Sequence, residues 1–228
     1  MAFLMTTSPR VPALCAGDRL TRDEFERRYM AMPHLKKAEL IEGVVYVGSP
    51  VRQVQHGRPE HMLVRWLGYY EDLTPGLDVG GNVTVRLDLD NEPQPDLLLR
   101  LPARVGGHSH TSADGYLEGP PELVIEVAAS SVSYDLHQKL HTYRRNGVQE
   151  YLVHRVDDGE VDWFWLEGGQ YVRQQPDADG LLRSRVFSGL WLDVPALLRA
   201  EAATVKAAVE RGCATPEHAA FAARLATD

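Results

Sequence analysis

A continuous apolar run in the middle of the chain constrains the fold more than any other feature of the sequence. Residues 122–129, ELVIEVAA, are apolar apart from Glu122 and Glu126. A strand with one solvated face alternates apolar and polar residues, whereas a strand that is covered on both faces is apolar throughout. The run therefore predicts a central strand in a sheet that has helices on both faces.

Helices are predicted on both sides of this strand along the chain. Apolar residues at helical spacing predict a helix over 57–73. A second helix is predicted over 134–146, because Asn146-Gly147 is typical of a helix C-terminus. Thr21 and Glu24 have the spacing of a capping box, which predicts a shorter helix over TRDEFERRYMA.

Short apolar runs between turn residues predict the other strands. The run AELIEGVVYVG predicts a hairpin over 38–47 that turns at Glu42-Gly43. Residues 102–121 are rich in turn residues and predict a long loop, and the Ala-rich tail predicts helices broken near Gly212 and Pro216. Further strands are predicted in LDVGG, NVTVRLDL and PDLLLRL before the central strand, and in EYLVHRV, VDWFWLE, QYVRQQ and RSRVF after it.

The length of the chain predicts one domain with short additions. A chain of 228 residues with 44% apolar residues can bury one sizeable core, and it contains no internal repeat. We expect an N-terminal arm over 1–19, a single domain over 20–198 and a C-terminal helical extension over 199–228.

Composition argues against several classes of protein. No stretch approaches the roughly 18 apolar residues of a membrane helix, and the N-terminal segment lacks the basic and apolar regions of a signal peptide. The chain has only two cysteines, Cys15 and Cys213, so we expect neither a disulfide framework nor a cysteine metal site. We expect a cytoplasmic location. The net charge of −8 gives no overall basic field for nucleic acid, so any nuclease must carry a local basic patch.

Two carboxylates stand in segments that are otherwise apolar. Glu126 lies within LVIEVAA, where a lone buried carboxylate costs several kcal/mol unless it is paired or binds a metal. Asp96 follows Pro95 and opens the apolar strand PDLLL. The alternatives are ordinary ones: Glu126 could point to solvent at a strand end, and Asp96 could be a turn residue.

A lysine in the second helix completes the group. Lys139 is three residues after Leu136 and four before Tyr143, so it lies on the inward apolar face of that helix. If the helix packs on the central strand, Lys139 can meet Glu126 and Asp96. A site with two carboxylates and other oxygen ligands suits Mg²⁺ or Mn²⁺, and the lysine would lie near an attacking water or a phosphoryl oxygen.

Several motifs in order carry a family resemblance over about residues 20–198. They are AELIEG, Ser49-Pro50 with His56, PDLLL, PELVIEV, the series Asp135, Lys139, Tyr143 and GVQEYLV, and finally SGLWLDV. With these motifs the chain resembles the Uma-type restriction endonucleases of bacteria, a group within the PD-(D/E)XK nuclease superfamily.

The resemblance implies a fold and a set of site residues. The fold is an α/β (α+β) restriction-endonuclease-like core, in which a mixed central sheet is flanked by helices, with extra C-terminal strands and a helical tail. Asp96, Glu126 and the carbonyl of Val127 would hold Mg²⁺ or Mn²⁺, Glu39 would extend this metal shell, and Lys139 would act in catalysis.

The sequence departs from the general superfamily pattern at two places. The superfamily has its lysine two residues after the acid, where this chain has Ala128. The Uma-type group supplies the lysine from the following helix, which agrees with Lys139. The polar, Pro-containing turn that usually follows the acid is replaced by AASSVS, so the shape of this loop is open.

The remaining candidates have weaker patterns. Glu39 either joins the metal shell or is a solvated residue of an edge strand. His56 either contacts phosphate or transfers a proton, or it is a capping or surface residue. His108 and His110 are not proposed as ligands, because an i, i+2 histidine pair without further ligands is a poor zinc signature.

Two functions of different classes remain at this point. The first is a Mg²⁺-dependent endonuclease that hydrolyses DNA, and the alternative is a non-catalytic module that keeps the nuclease fold and binds a protein partner. The set of Asp, Glu and Lys favours the enzyme, whereas the acidic charge favours the alternative. We also expect a homodimer, because a two-fold protein can present one site to each strand of a duplex.

Overall fold

A computed structural model of the protein describes residues 11–48 and 52–226 and contains a six-stranded mixed sheet between helical layers. The helices are α1 (Arg22–Met30), α2 (Arg58–Leu73), α3 (Val132–Tyr134), α4 (Leu140–Arg145), α5 (Val194–Leu198), α6 (Ala202–Cys213) and α7 (Pro216–Leu225). Two π-helical turns occupy Gln53–Gly57 and Asp135–Lys139, and a short 3₁₀ turn occupies Ala103–Val105. Segment α3, the turn Asp135–Lys139 and α4 follow one another directly, and we call them together the Lys139 helix.

The strands form one large sheet and three small ones. They are β1 (Ala38–Ile41), β2 (Val44–Val47), β3 (Asp78–Gly81), β4 (Val85–Arg86), β5 (Leu97–Arg100), β6 (His110–Thr111), β7 (Leu117–Glu118), β8 (Leu123–Ala128), β9 (Glu150–Arg155), β10 (Glu160–Glu167), β11 (Gln170–Arg173), β12 (Leu181–Arg183) and β13 (Trp191–Asp193). The large sheet has the order β11-β10-β9-β8-β5-β3, and the small sheets are β1-β2, β12-β13 and β4-β7-β6.

Strand β8 is the buried central strand that the apolar run predicts. All six of its residues are buried. It pairs antiparallel with β5, with Leu97 opposite Ile125, and parallel with β9, with Glu126 opposite Val153. The predicted fold class, a mixed central sheet flanked by helices with a helical tail, is confirmed.

Alternation along β8 divides the core between the two faces of the sheet. Leu123, Ile125 and Val127 pack in the larger cluster with α2 and the C-terminal helices. Val124 and Ala128 pack on the other face, against residues of the Lys139 helix. Glu126 alternates with Val127, so its side chain lies on the face of the Lys139 helix.

The hairpin over 38–47 is confirmed, and its turn has a defined backbone. Glu42 and Gly43 have φ angles of 51° and 71°, and two consecutive residues with positive φ are typical of a type I′ turn between antiparallel strands. Asn91 Oδ1 accepts a hydrogen bond of 2.8 Å from the Glu42 N–H, which helps to hold this less favourable conformation.

Two local predictions are wrong. The capping box at Thr21 does not form: Thr21 makes no side-chain cap on α1, and the Glu24 carboxylate is engaged by the guanidinium groups of Arg27 and Arg28 at 2.6 Å instead of the Thr21 N–H. Residues 183–187 do not form one strand, because the backbone N–H groups of residues 185 and 186 donate to the buried carboxylate of Glu150 at 2.6 and 2.9 Å. Those N–H groups cannot then pair in a ladder, and the strand ends at residue 183.

The helical tail is confirmed and contributes to the main core. Helix α6 ends at Cys213 and α7 begins at Pro216, close to the predicted breaks. Val209, Phe221 and Leu225 pack in the same cluster as α2. The division of the chain at residues 19 and 198 stays a prediction.

Within 11–48 and 52–226, no helix has the length and apolar character needed to cross a membrane.

One buried imidazole in β9 makes stability depend on pH. His154 is 5% exposed, and its Nδ1 atom has no hydrogen-bond partner among the described residues. Burial lowers the pKa of His154 from 6.5 to about 4. The folded state therefore binds fewer protons than the unfolded chain between these two pH values, and stability falls as the pH falls through this window.

We predict that His154→Phe removes this loss of stability in acid. Relative to the wild type, the variant should gain about 3 kcal/mol in free energy of unfolding as the pH falls from 6.5 to 4. Urea unfolding at several pH values measures the difference. The exposed His34→Phe serves as the control for the change from histidine to phenylalanine. A difference in free energy of unfolding between His154→Phe and the wild type that stays constant with pH would contradict the prediction.

Candidate active site

The Lys139 ammonium lies between two buried carboxylates. Its Nζ atom is 2.8 Å from Oε1 of Glu126 and 2.8 Å from Oε1 of Glu39, and it is 3.9 Å from Oδ1 of Asp135. Lys139 is only 2% exposed. Buried charges at these distances stabilise one another strongly, and removal of either sign would leave the other uncompensated.

A π-helical turn orients this lysine. The turn Asp135–Lys139 interrupts the Lys139 helix just where its side chains face β8, and such turns often occur at functional sites. Tyr143, four residues on, donates a hydrogen bond of 2.9 Å to Oε1 of Glu126. Ser131 donates one of 2.6 Å to Asp135. The helix segment and the loop before it thus hold both of these carboxylates in place.

Asp96 lies at the start of β5 and is tied to the neighbouring strand. Its Oδ2 atom accepts a hydrogen bond of 2.8 Å from the Val127 N–H, while Oδ1 is 3.4 Å from Lys37 Nζ and 3.6 Å from His56 Nε2. Burial raises the pKa of Asp96, but the His56 ring, Lys37 and the Val127 N–H outweigh it and lower the pKa to about 2. Asp96 is therefore ionised at neutral pH.

Glu39 is buried beside Lys139 rather than exposed to solvent. It is 6% exposed, and its Oε1 atom also accepts a hydrogen bond of 2.7 Å from the Gln94 N–H. His56 lies beside Asp96 at the end of the π-helical turn before α2, and the contact with Asp96 raises its pKa. A protonated His56 adds positive charge at the edge of the cluster.

The buried part of the cluster holds more carboxyl groups than cations, because Glu39, Asp96, Glu126 and Asp135 lie around the single ammonium of Lys139. Burial raises the pKa of Glu126, Lys139 opposes this effect, and the carboxylates of Asp96, Asp135 and Glu39 raise the pKa further. Burial lowers the pKa of Lys139, but the surrounding carboxylates outweigh it and keep the ammonium protonated. A cluster with surplus negative charge retains a proton or attracts a cation.

All of these side chains line one cavity of about 580 Å³. Cations are placed at its wall: Lys37, Arg52 and His56 line it together with Lys139. Four basic side chains thus face the same cavity as the carboxylates of Glu39, Asp96, Glu126, Asp135 and Asp157, and a phosphate group could contact the basic ones. The other lining residues include Tyr46, Ala129, Ser130, Ser131 and Tyr134.

Comparison with family models identifies the protein family of this chain. The model of the Uma2 family, described as "Putative restriction endonuclease", matches residues 22–195, which is well over half of the chain. The chain belongs to the Uma2 family. No curated protein matches it at a significant level.

A solved structure has a similar fold. It is the crystal structure of a protein from Anabaena variabilis ATCC 29413 that is described as a "putative nuclease belonging to DUF820". The two chains are 16% identical, the match covers 76% of this chain and 96% of that chain, and the TM-score is 0.55. At this identity, the likeness shows that this Uma2 chain shares the fold.

The structure brings the predicted residues together. Asp96, Glu126, Val127, Lys139 and Glu39 line the same cavity, and His56 does so as well. Their catalytic and metal-binding roles stay predictions. Ser49 and Pro50 of the Uma-type motif lie outside the described residues. His108 and His110, which are not proposed as ligands, do not line the cavity.

Sequence reasoning did not assign three residues to the site, although two of them, Asp135 and Tyr143, belong to the family motif. Lys37 is two residues before Glu39 and so emerges on the same side of the chain as Glu39, which is a signal that could have found it. Asp135 is four residues before Lys139, a spacing at which opposite charges pair on a helix. The hydrogen bond from Tyr143 to Glu126 joins a helix to a strand, and no local pattern indicates it.

The donor set fits a hard divalent cation that water and substrate help to coordinate. Among residues 11–48 and 52–226, no group of three His, Cys, Asp or Glu side chains forms a ready-made metal site. Mg²⁺ commonly binds through one or two carboxylates and keeps several waters, so a complete protein cage is not required. Asp96 and Glu126, with the surplus negative charge around them, supply the oxygen donors that this mode of binding needs.

We predict that Lys139→Met destabilises the metal-free protein. The change keeps most of the side-chain volume but leaves Glu126 and Glu39 without their counter-ion, which should lower the free energy of unfolding by about 3–5 kcal/mol. Added Mg²⁺ should restore part of the loss, because a bound cation replaces the missing charge. Thermal melts with and without Mg²⁺ measure both effects.

Lys37→Met is the matched control for this experiment. The Lys37 side chain is about a third exposed and 3.4 Å from Asp96, so its removal should lower the stability by no more than about 1 kcal/mol. Equal melting temperatures for Lys139→Met and the wild type would show that the buried ion pairs are not formed in solution.

Proposed function

We propose that this Uma2 protein is a Mg²⁺-dependent endonuclease that hydrolyses phosphodiester bonds in DNA. The observation that carries the proposal is the meeting of Asp96, Glu126 and Lys139 in one cavity that also has cations in its wall. Membership of a family described as restriction endonucleases supports it. A phosphodiester is an anion, and its hydrolysis requires a cation that activates water and stabilises charge on phosphate.

Asp96 and Glu126, with the carbonyl of Val127, would hold the Mg²⁺ or Mn²⁺ ion, and Glu39 would extend this shell. When bound, the ion supplies Lewis acidity and lowers the pKa of a coordinated water. The protein keeps the donors in place: the Val127 N–H holds Asp96, and the Tyr143 hydroxyl holds Glu126. Such supporting contacts orient the ligands of a metal site.

Lys139 would stabilise the charge that develops on the phosphoryl group or orient the attacking water. Its ammonium lies 2.8 Å from the carboxylates that are proposed to hold the ion, so it is close to any phosphate that reaches them. A preorganised charge in a buried site is worth far more than one in water. His56, Lys37 and Arg52 would contact phosphate oxygens at the wall of the cavity, and His56 could also transfer a proton.

A cleavage assay with variants tests this function. The wild type should cut at least one of supercoiled plasmid, linear duplex and single-stranded DNA in Mg²⁺ or Mn²⁺. Lys139→Met should lower the rate by about 10² or more, as expected for the loss of a preorganised charge. Asp96→Ala should abolish the heat of Mg²⁺ binding in calorimetry. Asp158→Asn, on an exposed turn that does not line the cavity, is the control and should stay within about twofold of the wild type.

The same assay decides the alternative function. A wild-type protein that cuts none of the three substrates and gives no heat with Mg²⁺ would contradict the enzyme. The chain would then be a non-catalytic module that keeps the nuclease fold and binds a protein partner. A cytoplasmic location also stays a prediction, drawn from the small number of cysteines.

We further propose that the protein acts as a homodimer. The two strands of a DNA duplex are related by a dyad, so a two-fold assembly can present one site to each. Strand β11 is an edge of the large sheet and exposes Val172, which offers apolar surface to a second subunit. Light scattering should give the mass of a dimer at micromolar concentration; a monomer mass would contradict the dimer without affecting the metal site.

A further inference from the structure

A second cavity of about 440 Å³ lies beside the active site, and no residue of the predicted set lines it. Most of its wall is apolar, as is common for sites that take an organic ligand. Two exposed apolar residues line it, Val54 and Leu198, which are 58% and 39% exposed. Its other lining residues include Arg58, Met62, His154 and Val156.

His154 gives this apolar wall a polar group. The side chain is buried, and Nδ1 has no hydrogen-bond partner among the described residues. Burial keeps the ring neutral at physiological pH, and a neutral imidazole has one donor and one acceptor nitrogen. A buried polar group without a partner is unfavourable in the core, and a ligand with hydrogen-bonding edges could supply the missing contact.

One turn contributes residues to both cavities. The π-helical turn Gln53–Gly57 contributes Gln55 and His56 to the active-site cavity and Val54 to the second cavity. His154 on β9 is the partner of Val127 on β8 in the parallel pairing, and neighbouring strands lie about 4.8 Å apart. The two cavities therefore lie at the same end of the β8–β9 pair, on opposite faces of the sheet, and a strand that passes over the turn could reach both.

Arginines flank the shared turn on each side. Arg52 precedes it and lines the active-site cavity, and Arg58 follows it and lines the second cavity. Guanidinium groups bind phosphates well, because their N–H groups match the geometry of the oxygens. The arrangement suits a chain of phosphates that passes across the turn while a flat, weakly polar ring enters the second cavity.

We propose that the second cavity binds one unpaired nucleobase of the nucleic acid strand whose phosphate lies in the active-site cavity. This inference rests on the function proposed above. A base that leaves its stack is held elsewhere by apolar or aromatic walls together with hydrogen bonds to its edge. The second cavity offers both kinds of contact, the walls through residues such as Met62 and Val156 and the hydrogen bonds through His154.

The test is a binding experiment with a short single-stranded oligonucleotide that carries one 2-aminopurine and a fluorescein at its end. Ca²⁺ replaces Mg²⁺, because it is also a hard cation that takes oxygen ligands, and a gel checks that the strand stays intact. Fluorescein anisotropy reports total binding to the full chain. A 2-aminopurine that leaves its stacked neighbours becomes brighter, so its fluorescence should rise on binding.

Leu198→Trp is the variant that obstructs the second cavity. We expect it to suppress the rise in 2-aminopurine fluorescence and to weaken binding by about fivefold or more, as expected when contacts to one base are lost. Leu89→Trp, at a residue that is 70% exposed and does not line the cavity, is the matched control and should bind as the wild type does.

His154→Phe keeps the ring and removes both nitrogens, which separates a binding role from a structural one. If His154 bonds the base, this variant should fold well yet bind the oligonucleotide about fivefold or more weakly. Unchanged affinity in both Leu198→Trp and His154→Phe, or anisotropy that rises without a change in 2-aminopurine fluorescence, would overturn the second cavity as a base site and leave the nuclease proposal standing. No binding in anisotropy would also overturn the base site, while the cleavage assay on the three DNA substrates decides the nuclease proposal separately.

Discussion

The structure depends on the buried ion pairs that Lys139 makes with Glu126 and Glu39. These three residues come from three separate parts of the chain: the Lys139 helix, the central strand β8 and the hairpin strand β1. Each would be unfavourable in the core by itself, because a lone buried charge is costly. Once they meet at 2.8 Å, they hold the helix and the hairpin against the same end of the sheet. The cluster therefore also connects the Lys139 helix, β8 and β1. Its surplus of buried carboxyl groups is the reason why a cation is expected there.

Buried carboxylates hold other parts of this fold in a similar way. Glu122 accepts backbone hydrogen bonds of 2.7 Å from the Leu101 N–H and 2.9 Å from the His108 N–H, which fastens the long loop after β5. Glu150 accepts from backbone N–H groups of the turn before β13 and from the Trp163 indole at 3.1 Å. A carboxylate can accept several hydrogen bonds at once, so a single side chain satisfies the backbone of a turn that would otherwise be buried without partners. Irregular segments can thus pack closely on the sheet.

The pairing of Lys139 with Glu126 could be predicted from local sequence alone. A charge on the apolar stripe of an amphipathic helix must find a partner, and the apolar run around Glu126 identifies that partner from the residues alone. The same reasoning does not find Lys37, Asp135 or Tyr143 as residues of the site, since surface lysines, helical acids and core tyrosines are all common in ordinary positions. The wrong capping box at Thr21 has a related cause: Glu24 has two arginines within one turn, and charged partners outcompete a neutral N–H.

The sequence by itself determined the periodic elements and the identity of the charges that had to be buried. The apolar run of β8, the helical spacing of α2, the hairpin turn at Glu42-Gly43 and the break between α6 and α7 all follow from local patterns, because backbone conformation and the side-chain period are set within a few residues. Only the tertiary structure decided how Asp96 is held by Val127 and His56, that Glu39 is buried, and that a second cavity lies behind the turn before α2. These features depend on distances between residues that are far apart in the chain, and such distances are set by the packing of the whole sheet rather than by any local preference.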